Sequence, residues 1–260
     1  MGRAWLVARH EWLEHRRQPG MLLAMAAVQL SICGTVLFGM GIMSLIHGTP
    51  AQEALLKENL AFAGMPLEDP VGWSVDLMLS TFNFLTLSQL LGMTAVMAGQ
   101  AIVHERQCGT LPFLMVAPIG RFELMLGKVL GALGSPFLLT LCIGGSTALL
   151  LSATELSALQ PWRLPPSPGW MVAFFLGAPS WAATLAGMGA AISARARDVR
   201  GAQQGVWLLV FFATLIVGFL LGGGLQEDAT FQLVMAGLGA LGALSSVALA
   251  AVSLRHDLER

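Results

Sequence analysis

Residues 21–46 read MLLAMAAVQLSICGTVLFGMGIMSLI, 26 positions without one Asp, Glu, Lys, Arg or His. A helix needs about 20 apolar residues to cross a hydrocarbon core about 30 Å thick. At about 1.5 Å of rise per residue this stretch exceeds that thickness, so it either tilts or overhangs into the headgroups. Five more uncharged stretches follow: Leu77–Val103, Val129–Thr154, Met171–Ala194, Gly201–Gln226 and Ala229–Leu254, each of 24 to 27 residues. Periodicity does not separate buried helix from strand in such runs, but length does. Barrel strands are about ten residues of alternating polarity, and these runs are not. The sequence predicts an all-α polytopic membrane protein, one transmembrane domain over residues 1–260 with six transmembrane helices.

Composition agrees. Of 260 residues, 55% are hydrophobic and 11% charged, and the mean hydropathy is +0.71. A soluble domain carries about 25% charged residues, so this chain lacks the polar groups to build a water-facing surface. Thirty Gly point the same way, since Gly is more frequent in membrane helices than in soluble ones. A net charge of −1 excludes a basic nucleic-acid surface as the main theme. Cys33, Cys108 and Cys142 are too scattered for a disulfide framework or a metal site. The first twenty residues are charged and the apolar run after them is long, so no cleavable signal peptide is expected.

Orientation follows from Lys and Arg. The N-terminal segment, the second and fourth connections and the tail hold twelve of them, among them Arg3, Arg9, Arg106, Arg121, Lys128, Arg195, Arg197 and Arg200. The other connections hold two, Lys57 and Arg163. This bias predicts cytoplasmic termini, with connections one, three and five outside. The first outer loop is acidic, with Glu53, Glu58, Glu68, Asp69 and Asp76, and a short amphipathic helix fits Pro50–Phe62. That loop reads either as a solvated surface or as a gate or docking element. The third connection, residues 160–169, is proline-rich and reads as extended, with Trp162 and Trp170 suited to the headgroup belt.

Residues 3–18 read as an amphipathic helix stopped by Pro19-Gly20. Trp5, Ala8 and Trp12 share a face flanked by Leu6 and Leu13, and Arg9, Glu11, Glu14, Arg16 and Arg17 cover the rest. This pattern suits a helix lying in the interface, the alternative being an extension of the first span. His10 and His15 are five apart rather than four, which puts them on different faces and excludes the zinc motif of metalloproteases.

The second connection, 104–128, reads HERQCGTLPFLMVAPIGRFELMLGK. It is far longer than a link between two spans requires, and its interior is apolar. Leu111, Phe113, Leu114, Met115 and Val116 call for a burial surface. Pro112 suits the first turn of a short helix with Thr110 as its N-cap, ended by Pro118 and Gly120. Gly127-Lys128 is not a Walker A loop, because Phe122 stands where its first Gly belongs and Val129 where its Ser or Thr belongs.

Glu105-Arg106, Gly109-Thr110-Leu111, Pro118-Ile119, Arg121, Glu123-Leu124 and Gly127-Lys128 together resemble the central signature of type-2 ABC transporter permeases. Gln107 and Pro112 depart from it, standing where the family often has acidic residues. The likeness extends over the whole chain, through the amphipathic N-terminal helix, the six spans and a second cytoplasmic turn at Ser193-Ala194-Arg195 with Gln203-Gln204. The long acidic first outer loop is similar to that of the branch associated with sodium efflux and nitrous oxide reductase maturation. The resemblance implies a membrane subunit of an exporter in a prokaryotic inner membrane, not an enzyme and without a nucleotide site or cofactor of its own. ATP and Mg would be bound by a separate cytoplasmic ABC ATPase, and a second permease copy, identical or paralogous, would complete the pathway. It also implies a coupling role for Glu105, Arg106, Gly109, Thr110, Leu111, Phe113, Leu114, Pro118, Arg121, Glu123 and Lys128.

Within the spans, Asn83, Gln89 and Gln100 are candidates for lining a pathway or bonding between helices. The uncharged spans argue against a proton-coupled carrier working alone. Gly127–Gly131, Gly201–Gly205 and Gly218–Gly222 have the spacing that lets helices approach closely, within the chain or between copies. A second reading is a polytopic membrane enzyme or a scaffold that recruits a cytoplasmic partner. An enzyme would call for His, Asp or Glu clustered at one face, and the sequence shows no such cluster.

Overall fold

A computed structural model of the chain describes residues 2–16, 19–47, 49–62, 69–111, 118–154, 164–165, 167–196, 198–222 and 229–258. Among these, every regular element is helical. We number them α1 (Gly2–Arg16), α2 (Pro19–His47), α3 (Pro50–Phe62), α4 (Pro70–Gln107), α5 (Arg121–Ser152), α6 (Pro168–Arg195), α7 (Val199–Gly222) and α8 (Ala229–Leu258). Six of them, α2 and α4 to α8, are long and apolar enough to cross a membrane. Of the proline-rich stretch 160–169, residues 160–163 and 166 lie outside the described residues, as do Phe113, Leu114 and the Pro112 helix start; Pro168 and Gly169 already belong to α6 rather than to an extended segment.

Caps explain where the helices begin. Asp69 accepts a hydrogen bond from the Gly72 amide at 2.8 Å, with Pro70 supplying the preset φ of the first turn. Asp198 does the same for α7, accepting from the Gly201 amide at 2.9 Å. Thus α4 begins seven residues before the uncharged stretch read from the sequence, and α5 eight before. The helices run through their flanking charges.

α4 and α6 form the centre. α4 buries residues along its whole length, from Val71, Val75 and Leu79 to Ala98, Ile102 and Val103. α6 packs against it and against α8 through small residues. A Cβ on Gly189 would meet the Ala95 carbonyl oxygen at 2.6 Å, and one on Gly187 would meet Ser246. Backbones this close replace bulky packing with polar bonds. Thr184 donates to the Gly239 carbonyl at 2.8 Å and Trp181 to the Met235 carbonyl at 3.1 Å, both across to α8. The outer faces are apolar and exposed, as at Leu30 and Phe38 of α2, Phe211 and Leu215 of α7 and Leu238 and Leu241 of α8. In water that surface would drive aggregation; in a bilayer the acyl chains cover it.

Candidate coupling site and intramembrane cleft

Lys128 lies about two turns into α5 and is buried, its side chain 1% exposed. Its Nζ donates to Glu11 Oε1 of α1 and to Glu105 Oε1 of α4, each at 2.6 Å. Buried charge is tolerated only when paired and hydrogen-bonded. Here two carboxylates from two other helices enclose one ammonium.

Glycines make that reach possible. A Cβ on Gly127 would sit 2.7 Å from the Ala4 carbonyl oxygen, and one on Gly131 would sit 2.5 Å from Glu11 Cβ. Ala4 and Ala8, both buried, are spaced by four like the glycines they face. Gly127 meets Ala4 and Val7, Gly131 meets Ala8 and Glu11, and Gly134 meets Trp12, so α1 runs parallel to the start of α5. The Gly127–Gly131 pair therefore serves packing within the chain. The face of α1 that packs inward is Ala4, Ala8 and Glu11, whereas Trp5 and Leu6 stay exposed. The polarity pattern had put Glu11 on the solvated side; the buried Lys128 draws it in.

The end of α4 is a defined stop. Gly109 has φ +71°, the left-handed conformation that side chains disfavour. The Thr110 amide donates to the Glu105 carbonyl at 3.0 Å and the Gly109 amide to the Arg106 carbonyl at 3.2 Å, the bond pair of a Schellman cap. The Thr110 hydroxyl also donates to the Glu105 carbonyl, at 3.2 Å. Gly-Thr in the signature thus terminates α4. Leu111 then turns into the core beside Ile102, Leu124 and Met125.

Arg106 points to α6. Its guanidinium donates to the carbonyls of Ala194 at 3.0 Å and Ala196 at 2.9 Å, capping orphan acceptors at the helix end. Beside it, Ser193 Oγ accepts from the Val103 amide at 3.2 Å. At the far end of the connection, Arg3 of α1 donates to the Pro118 carbonyl. Glu123 accepts from the Gly120 amide at 3.4 Å, in the first turn of α5, and Arg121 is exposed. The connection is therefore fastened at both ends to the N-terminal helix, at Pro118 directly through Arg3 and at Glu105 by way of Lys128.

A separate cleft lies deeper in the bundle, among α4, α5, α6 and α8. Its lining includes Asn83, Thr86, Thr140, Trp170, Phe174 and Gln232. Trp170 donates to Asn83 Oδ1 at 3.1 Å and stacks on Phe174, ring centroids 4.7 Å apart. Gln29, fully buried on α2, backs it by donating to Thr86 Oγ1 at 3.4 Å. Two helices with π-turns border it, through Thr140–Gly145 of α5 and Ala173–Gly177 of α6. Such turns widen a helix and recur at functional sites. The ring of Pro179 bars the Phe175 carbonyl from the regular ladder, which accounts for the second.

Of the three amides read from the sequence, Asn83 lines the cleft. Gln89 instead donates to the Met25 carbonyl on α2 at 2.8 Å, and Gln100 is half-buried away from the cleft. Sequence reasoning missed Glu11, Gln29 and Gln232. The signal for the last two was present, as isolated amides in otherwise apolar spans. Among the described residues, no group of three His, Cys, Asp or Glu is placed to hold a metal ion.

Six apolar helices joined by capped turns, with polar groups turned inward, define a multi-pass membrane protein. Residues 5–251 match the model of the ABC-2 family transporter protein, and the chain belongs to that family. It is a membrane permease of an ABC transporter. A comparison with curated proteins finds no match.

Proposed function

We propose that this permease is driven in trans by a separate cytoplasmic ATPase that binds ATP and Mg and docks on the connection between α4 and α5. The observation that carries the reading is the double fastening of that connection. Pro118 is tied directly to Arg3 of α1, and Glu105 is tied to α1 through Lys128, which joins α1 to α4 and α5. A push on the connection then moves three helices together rather than bending a loop, the rigid-body mode by which closure of one domain reaches another. In this reading Phe113 and Leu114 contact the ATPase with Arg121. Glu105, Arg106 and Lys128 hold the base, Gly109 and Thr110 set the turn, and Leu111, Pro118 and Glu123 seat its ends.

The twelve-to-two excess of Lys and Arg supports a cytoplasmic location for this connection and both termini. A second permease copy pairs with the first to complete the pathway, in the inner membrane of a prokaryote, and transport is outward. The test is affinity purification of the full chain from its native membrane, with mass spectrometry for a Walker-A subunit, then ATP hydrolysis in proteoliposomes. Phe113→Ala should release the ATPase or uncouple hydrolysis from transport, and Arg163→Ala should do neither. An unchanged Phe113→Ala variant, or no ATPase in the purified complex, overturns the reading.

A further inference from the structure

We propose that the cleft beside Asn83 and Gln232 is a binding site for an uncharged amphiphile, a lipid with a hydroxyl or ester head and a long apolar tail. The head end is the polar pocket of Asn83, Thr86, Thr140, Trp170 and Gln232. Gln232 is buried, 5% exposed, and among the described residues its amide has no hydrogen-bond partner. An amide offers two donors and an acceptor, and leaving it unpaired in a dry interior is unfavourable. A ligand hydroxyl or ester would satisfy it.

The tail end is a second, larger hollow that shares Leu87, Ala173, Ala178 and Gln232 with the first. It runs between α6, α7 and α8 past Leu91, Leu185, Leu209, Phe212, Ile216 and Met235, and its cavity volume is about 280 Å³ against about 70 Å³ for the polar part. Phe212 and Ile216 are more than half exposed on the outer face, so the hollow opens sideways to the bilayer. A molecule already dissolved in the membrane can slide in tail-first along that opening.

Charge decides the head. Among the described residues, neither hollow has an Asp, Glu, Lys, Arg or His in its lining. A phosphate there would lose its hydration with no cation to meet it, a penalty no hydrogen bond to an amide offsets. Binding needs no nucleotide, so the inference stands apart from the coupling reading above.

The experiment uses the full chain in phosphatidylcholine nanodiscs and a photoreactive diacylglycerol with a diazirine in its acyl chain. Saturable cross-linking to peptides spanning residues 82–91 and 229–235, competed by plain diacylglycerol but not by phosphatidylglycerol, is the expected result. Gln232→Leu should weaken competition about fivefold, the loss expected for one hydrogen bond, with its melting temperature unchanged. Should that variant melt early, Ala173→Leu, which fills the junction of the two hollows, should abolish labelling instead. Labelling that does not saturate, spreads evenly over lipid-facing helices, yields equally to phosphatidylglycerol, or survives both substitutions overturns the proposal.

Discussion

The ammonium of Lys128 sits 2.6 Å from the carboxylate of Glu11, although 117 positions separate the two in the chain. With Glu105 also at 2.6 Å, the contact makes one charged knot out of α1, α4 and α5. A buried ion pair adds little net stability compared with apolar packing, but removing one partner is costly because the other is left uncompensated.

The first prediction follows from that asymmetry. Lys128→Met should destabilise the purified permease by about 3–5 kcal/mol, read as a fall in melting temperature in detergent. The triple variant Glu11→Gln, Lys128→Met, Glu105→Gln, which removes all the charge at once, should recover most of the loss. A Lys128→Met protein as stable as the parent would mean that the knot carries no energetic weight.

Gly131 tests the approach of α1. Its position has no room for side-chain atoms, since a Cβ would overlap Glu11 Cβ at 2.5 Å. Gly131→Val should displace α1 at a cost of about 1–3 kcal/mol and expose the α1–α2 junction to protease. Gly134→Ala, whose Cβ would meet Trp12 at an ordinary 3.6 Å, should cut at the parental rate.

Arg106 binds α4 to the end of α6. Replacing it by Lys removes the fork that reaches both the Ala194 and Ala196 carbonyls. Amide exchange over residues 190–196 should then accelerate, with an overall loss of about 1–3 kcal/mol from carbonyls left without a charged donor. Unchanged exchange there would remove Arg106 from the joint.

Topology is tested by single cysteines on a cysteine-free background. Glu58→Cys and Ala153→Cys should react with an impermeant maleimide in intact cells, and Gln107→Cys and Arg200→Cys only after permeabilisation. The opposite pattern would invert the orientation and with it the side on which an ATPase docks.

The span count and the helix over Pro50–Phe62 were legible because they depend on length, charge and cap residues, which are local. Span ends were not, because the uncharged windows stopped at Lys128 and at Asp76 whereas the helices run on through both. A Lys looks like a boundary until its counter-charges are known, and Glu11 and Glu105 arrive from other helices. The joint made by Arg106 was not legible for the same reason, its acceptors being backbone carbonyls at the end of a helix some ninety residues away. Thr110 was read as the N-cap of a helix at Pro112, which lies outside the described residues; the structure shows its amide closing α4, a role that depends on the left-handed Gly109 before it.

The distance in sequence between Glu11 and Lys128 also sets an order of events during synthesis. At roughly 5–20 residues per second, the ribosome makes Lys128 about 6–23 seconds after Glu11, given the 117 positions between them. Through that interval the first helix has an acidic side chain and no cation to bury it against, so it stays wetted while the first two spans enter the bilayer. Insertion of the third span delivers the Lys, and only then does the chain's beginning become fixed to its middle.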